Sequence, residues 1–168
     1  GIQSLDQLYH QARFVHHMLL HKVKELALAC GGWFPCHPLE NGERFLPWQD
    51  ASKDPALASK VIWPGVKRVN RAIEKAVRKY RNDVSRLVDV CRAVIVFNDI
   101  SNLCDCVHAL KDDPTVEIVR VKNRFSQDYD CWQTLGYRDV AFNFRLRNDA
   151  SIGFKTDMHI VELQLNLR

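Results

Sequence analysis

Two carboxylates set in apolar surroundings are the residues of this chain best suited to chemistry. Asp89 lies in Arg86-Leu87-Val88-Asp89-Val90-Cys91-Arg92, and Glu162 lies in His159-Ile160-Val161-Glu162-Leu163-Gln164-Leu165-Asn166. A carboxylate taken out of water is costly unless it is paired, so Asp89 needs a partner. If the two segments are neighbours in one sheet, Asp89 and Glu162 can converge on a divalent cation. Mg²⁺ suits such a pair, because it binds through one or two carboxylates and the phosphates of a substrate. The plainer alternative pairs Asp89 with Arg86 or Arg92 and leaves Glu162 facing solvent.

Other chemically capable residues form weaker patterns. Cys30, Cys36 and His37, taken with His16, His17 and His21, are of zinc-binding types, but their spacing is not that of a zinc site. His17-Met18-Leu19-Leu20-His21 has a histidine pair four residues apart without the glutamate that a zinc hydrolase helix needs. Cys131 has no histidine at nucleophile spacing. Arg124, Phe125, Tyr129 and Trp132 mix aromatic rings with positive charge, which would suit stacking of single-stranded nucleic acid or the packing of a loop.

These residues must be placed by a chain of 168 residues, 46% of them hydrophobic, which is enough for one core. The formal charge of +4 is a mild excess that fits a phosphate-bearing ligand. No apolar run reaches the roughly 18 residues of a membrane span, and no signal-peptide core is evident, so a soluble, intracellular protein without a membrane partner is expected. The six cysteines then read as thiols in a reducing cytoplasm.

Apolar residues at spacings of three and four, Leu5, Leu8, Ala12, Val15, Leu19, Val23 and Leu26, predict a helix over 4–29 that Ser4 or Asp6 caps and Gly31-Gly32 ends. Residues 31–64, rich in proline, read as a loop-like insertion with one short helix near 55–61. A basic helix follows over 64–81. Its predicted packing side holds Val66, Val69, Ile73, Ala76, Val77 and Tyr80, with Lys67, Arg68, Arg71, Lys75, Arg78 and Lys79 around the other. A central strand is expected over 87–97, a helix that Ser101 caps up to about 110, and a strand over 116–121.

Residues 122–136 read as loop, and 137–146 and 159–167 as an antiparallel pair with 147–157 as the connection. Alternation places Glu162, Gln164 and Asn166 opposite Val161, Leu163 and Leu165, and places Tyr137, Asp139, Ala141, Asn143 and Arg145 opposite Val140, Phe142, Phe144 and Leu146. Two strands therefore share a polar face. The sum is a single α/β (α+β) domain with a mixed sheet of four or five strands and helices packed largely on one face.

In this order, the segments around Asp89, Gly136-Tyr137-Arg138-Asp139 and Val161-Glu162-Leu163-Gln164-Leu165 resemble the RelA/SpoT-type synthetase domain of the nucleotidyltransferase superfamily. The resemblance covers 65–167. It implies transfer of pyrophosphate from ATP to a nucleotide 3′-hydroxyl, with Asp89 and Glu162 as catalytic residues and Mg²⁺ ligands. It further implies that Tyr137 stacks on a purine acceptor and that Lys67, Arg71 and Lys75 reach ATP phosphates from the helix, with Lys122 and Arg124 doing so from the loop. Arg92, Asp139 and Gln164 complete the substrate wall. Family members that act on tRNA ends make tRNA a further candidate acceptor, and a degenerate nucleotide-binding or interaction module is the alternative. The chain departs from the family at Val94, where an arginine is usual, at 133–135, and at Ala141 in place of a histidine. It ends at Arg168, before the helix that follows the glutamate strand in the family, as a domain cut from a longer chain with partner domains would.

Overall fold

The computed structural model describes residues 4–168. Its first element is α1, Leu5–Cys30, opened by the Ser4 side chain accepting from the Gln7 amide. The expected stripe is the buried face: Leu8, Ala12, Val15, Leu19, Val23 and Leu26 are all shielded from water. Each such leucine or valine contributes about 1.5–3 kcal/mol by burial. Gly31 stops the helix in the left-handed region at φ 69°. Gly32 then lets the chain pass so close to the sheet that an added Cβ would fall 2.6 Å from Ile95 Cγ2.

The 31–64 stretch is more structured than its composition predicts. It holds β1 (Trp33–Pro35), β2 (Phe45–Pro47), α2 (Trp48–Ala51) and α3 (Pro55–Ala58). β1 and β2 form an antiparallel hairpin, and Trp33 of β1 pairs with Val96 of the central strand. Strands of three residues are too short to display a period. What anchors the hairpin is tertiary: Phe34 packs against Trp48 and Trp63, with ring centroids at 5.5 and 4.8 Å.

The basic helix, α4, runs Val69–Tyr80, so Lys67 and Arg68 precede it. Its packing face also differs from expectation. Ala72 and Ala76 are the buried residues, while Val69, Ile73 and Val77 are exposed. Small side chains let the helix backbone approach its support, which rotates the larger aliphatic residues outward.

A 3-10 turn, Val84–Arg86, leads to β3, Arg92–Phe97. The apolar run therefore starts pairing five residues later than expected, and Asp89 sits on the approach to the strand. Leu87, Val90 and Cys91 are nonetheless buried, with the Cys91 thiol donating to the Ala12 carbonyl at 3.3 Å. The remaining elements are α5 (Ile100–Asp112), capped by Asp99 instead of Ser101, β4 (Val116–Asn123), a 3-10 turn (Cys131–Thr134), β5 (Val140–Leu146), α6 (Asp149–Gly153) and β6 (Ile160–Leu167).

The six strands form one sheet in the order β2-β1-β3-β6-β5-β4, one or two strands wider than predicted because of the hairpin. β3 and β6 are parallel, and every other pairing is antiparallel. α1 and α5 pack against one face, which is lined by Ala93, Ile95 and Phe97, by Val161, Leu163 and Leu165, and by Phe142, Phe144 and Leu146. The register puts Arg92 beside Glu162 and Glu162 beside Asn143 on the other face. That polar face is the one the strand alternation predicted.

Candidate functional site

The parallel pairing of β3 with β6 brings the two segments that carry Asp89 and Glu162 side by side. Arg92 is opposite Glu162, and the Glu162 amide donates to the Cys91 carbonyl at 2.9 Å. Asp89, three residues upstream, is near enough for its charge to act on Glu162. Burial raises the Glu162 pKa, the Asp89 charge raises it further, and Arg92, Lys75 and the neighbouring Asn143 amide oppose the rise. The Glu162 carboxylate also accepts from Gln164 Nε2 at 3.1 Å.

Asp89 does not pair with Arg86 or Arg92. Its Oδ2 receives two ammonium groups, Lys67 Nζ and Lys75 Nζ, each at 2.8 Å. Its Oδ1 is buried without a hydrogen-bond partner. Burial pushes the Asp89 pKa up, but the two lysines more than reverse this and leave it lowered. Lys67 is held for this contact by its backbone, whose amide donates to the Val90 carbonyl at 2.9 Å and whose carbonyl accepts from the Tyr9 hydroxyl. Lys75 reaches the same oxygen from the second turn of α4. Together with Arg71, Glu74, Arg78, Lys79 and Arg92 these lysines line a cleft of about 620 Å³. Six cations against one carboxylate make that cleft a polyanion site.

The other end of the polar face is built around Tyr137, whose half-exposed ring is fixed by its hydroxyl. That hydroxyl lies 3.1 Å from Asp139 Oδ2 and 3.2 Å from Asn166 Oδ1, and it donates its single proton to one of them. Asp139 is completely buried. In place of the expected substrate contact, it forms an ion pair with Arg124 and anchors Tyr137. Arg124 is correspondingly held by Asp139 and lies 6.0 Å over the Tyr129 ring, so it stands apart from the phosphate cleft. Lys122 is exposed on β4, opposite Ala141. Gln164, between the two ends, has Val94 on one side and Ala141 on the other.

The loop aromatics do not form one platform. Phe125 packs toward the core, Tyr129 lies under Arg124, and Trp132 alone is 85% exposed. The structure brings Asp89, Lys67 and Lys75 together beside Glu162, and sets Tyr137 at the far end of the same face. Sequence reasoning missed Asn143, Asn166 and Tyr9 as positioning residues. Asn143 and Asn166 were visible as polar members of the alternating strands, whereas nothing in the sequence links Tyr9 to Lys67.

The residues fit a divalent cation. Asp89 Oδ1 is a buried anionic acceptor with an open lone pair, and Glu162 is a second carboxylate destabilised by the first. No group of three or more His, Cys, Asp or Glu among the described residues is placed to hold a metal alone. A cation here therefore needs oxygens from a ligand, as Mg²⁺ commonly does.

No protein-family model matches the sequence, and no curated protein matches it either. Solved structures do. Small alarmone synthetase 2 from Bacillus subtilis aligns over 96% of this chain and 71% of its own, with a TM-score of 0.59 at 16% identity. The Type VI effector Tas1, solved in complex with its immunity protein, aligns over 96% of this chain and 60% of its own, with a TM-score of 0.55 at 17% identity. Small alarmone synthetase 1 from Bacillus subtilis, solved bound to its product pppGpp, gives a TM-score of 0.48 at 18% identity over 61% of this chain. The chain thus spans 52% of that synthetase and 60% of Tas1. On the two fuller superpositions, which cover 96% of the chain, it has the RelA/SpoT-type synthetase fold of the small alarmone synthetases, in a divergent form.

Proposed function

We propose that this domain binds ATP in the basic cleft and transfers its β,γ-pyrophosphate to the 3′-hydroxyl of a purine nucleotide, with an RNA 3′ end as the further candidate acceptor. The observation that carries the reading is the placement of Asp89 and Glu162 beside a cleft lined by six cations, on a polar sheet face that has a half-exposed, anchored tyrosine at its other end. Phosphoryl-type transfer depends on positioning and charge stabilisation more than on covalent help, and this face offers both.

In that reaction the acceptor oxygen bonds to the β-phosphorus, the bond from that phosphorus to the α,β-bridging oxygen breaks, and AMP leaves. Glu162 takes the proton from the acceptor hydroxyl. Burial and the neighbouring Asp89 raise its pKa, which makes it a stronger base than an exposed glutamate. Lys67, Lys75, Arg71 and Arg92 hold the phosphates, and Tyr137 stacks on the acceptor base. Mg²⁺ bound at Asp89 Oδ1 and Glu162 would neutralise charge on the transferring group. Six free thiols suit a reducing compartment, and no helix among the described residues is long and apolar enough to cross a membrane.

A second reading, a binding module without turnover, is favoured by Val94 and Ala141, which leave Gln164 between two apolar neighbours. One assay separates the two. Labelled ATP, Mg²⁺ and a panel of guanine and adenine nucleotides and tRNA are incubated with purified protein. The enzyme reading expects a labelled acceptor that disappears in both Asp89→Asn and Glu162→Gln. Nucleotide binding without transfer to any acceptor establishes the module instead.

A further inference from the structure

We infer that Lys67 and Lys75 act as internal counterions that keep a free divalent cation out of this site, so that metal enters together with a polyphosphate and the ammonium groups pass from Asp89 to the phosphates. The inference rests on the proposed nucleotide site and adds an order and a coupling to it.

Charge decides the matter. Around the two carboxylates Asp89 and Glu162 stand Lys67, Lys75 and Arg92, three cations against at most two anions. A lone divalent ion would raise the local charge from about +1 to about +3, and two like charges repel strongly in a partly buried setting. A nucleoside triphosphate brings about four negative charges at neutral pH, which reverses the balance. Geometry agrees. Both ammonium groups converge on Oδ2 at 2.8 Å while Oδ1 stays buried and unpartnered. The carboxylate is half satisfied, and its free oxygen is the one left for an incoming cation.

The two lysines are also able to move. Each side chain is about a quarter exposed, whereas that of Asp89 is only 10% exposed. The neighbouring cleft, lined by both lysines, is where a polyphosphate would meet them. Lysine is a compact charge on a flexible stem, so it can exchange one anion for another without main-chain movement. Tyr9 and Val90 hold the Lys67 backbone while its side chain swings.

The test uses Mn²⁺ as the probe, read by electron paramagnetic resonance, with and without α,β-methylene-ATP, which cannot undergo the transfer. The expected result is at least about tenfold tighter Mn²⁺ binding with the analogue than without, a coupling of ordinary allosteric size. Lys75→Met and Lys67→Met should each tighten Mn²⁺ binding without the analogue and shrink the coupling. Lys75→Arg, which keeps the charge, should preserve it. Wild-type protein that binds Mn²⁺ equally well with and without the analogue overturns the inference while leaving the nucleotide site standing. The same holds if both methionine variants, folded by thermal melt, leave Mn²⁺ binding unchanged. Failure of the analogue to bind at all removes the nucleotide site and the inference with it.

Discussion

The two ends of the polar sheet face are built in opposite ways. At the Asp89 end, two lysines flank a buried carboxylate that has one oxygen unsatisfied, and a cationic cleft opens beside it. At the Tyr137 end, the charges are already consumed: Arg124 and Asp139 pair with each other, and what stays half-exposed is an aromatic ring, with apolar Val94 and Ala141 flanking Gln164 on the strands between the two ends. The first end is suited to hold a polyanion whose charge it needs. The second is suited to hold a flat base by contact and shape. A donor triphosphate and an acceptor nucleoside are ligands of those two kinds.

The largest expected effect lies at Glu162. Glu162→Gln removes a general base, and about 10²- to 10⁴-fold of the transfer rate should go with it, measured as kcat with labelled ATP. Melting temperature should stay close to wild type. In the wild type, kcat/KM, which reports the unloaded site, should fall as pH drops through the raised Glu162 pKa, so its acid limb should lie above the ordinary glutamate value of about 4.3.

A separate acid effect belongs to the core. His159 is buried, neither ring nitrogen has a partner, and burial lowers its pKa to about 4. An unfolded histidine titrates near 6.5. Between those values the unfolded chain binds the extra proton, so stability is full above about pH 6.5 and falls as pH drops towards 4. The loss should be at most about 3 kcal/mol. His159→Leu should abolish that slope in urea melts while leaving the acid limb of kcat/KM in place. If both vanish together, the limb reports unfolding and Glu162 loses its assigned part.

The rigid end is tested by Asp139→Ala, which leaves Arg124 without its anion. Breaking a fully buried pair costs about 3–5 kcal/mol. Arg124 keeps some solvent contact, so about 2–3 kcal/mol is expected by denaturant melt. The smallest effect should come at the ring. Tyr137→Ala should raise the acceptor KM by about 5- to 150-fold, the worth of one stacked base, with little change in the affinity for the ATP analogue. Tyr137→Phe, which loses only a hydroxyl contact, should cost about tenfold or less. Equal losses for donor and acceptor would erase the distinction between the two ends.

The legible parts of the molecule are those whose pattern is local. α1 was readable from its spacing because one continuous stripe faces the core, and β5 and β6 because alternation repeats over seven and eight residues. The polar face, Asp89 and Glu162 followed from the same alternation and from the resemblance of their segments. α4 packs on a face its pattern does not show, because its larger apolar residues outnumber the two alanines that do pack. A helical wheel ranks side chains by hydrophobicity, but the packing beside α4, where the Val84–Arg86 turn lies, selects by size. The hairpin of β1 and β2 escaped because its strands are held by Phe34, Trp48 and Trp63, which lie far apart in the chain.

By itself the sequence determined which faces are apolar, where the long elements run, and which carboxylates are candidates, because each depends on side-chain type at a fixed period of 3.6 or 2. Only the tertiary structure decided what those carboxylates meet. Asp89 lies among arginines in the sequence and among lysines in space, since Lys67 and Lys75 reach it across a gap of up to 22 residues. Asp139 and Arg124 disappear into each other through a loop whose sequence has no period. Partners across such gaps are chosen by chain closure and packing, which no local pattern of residues records.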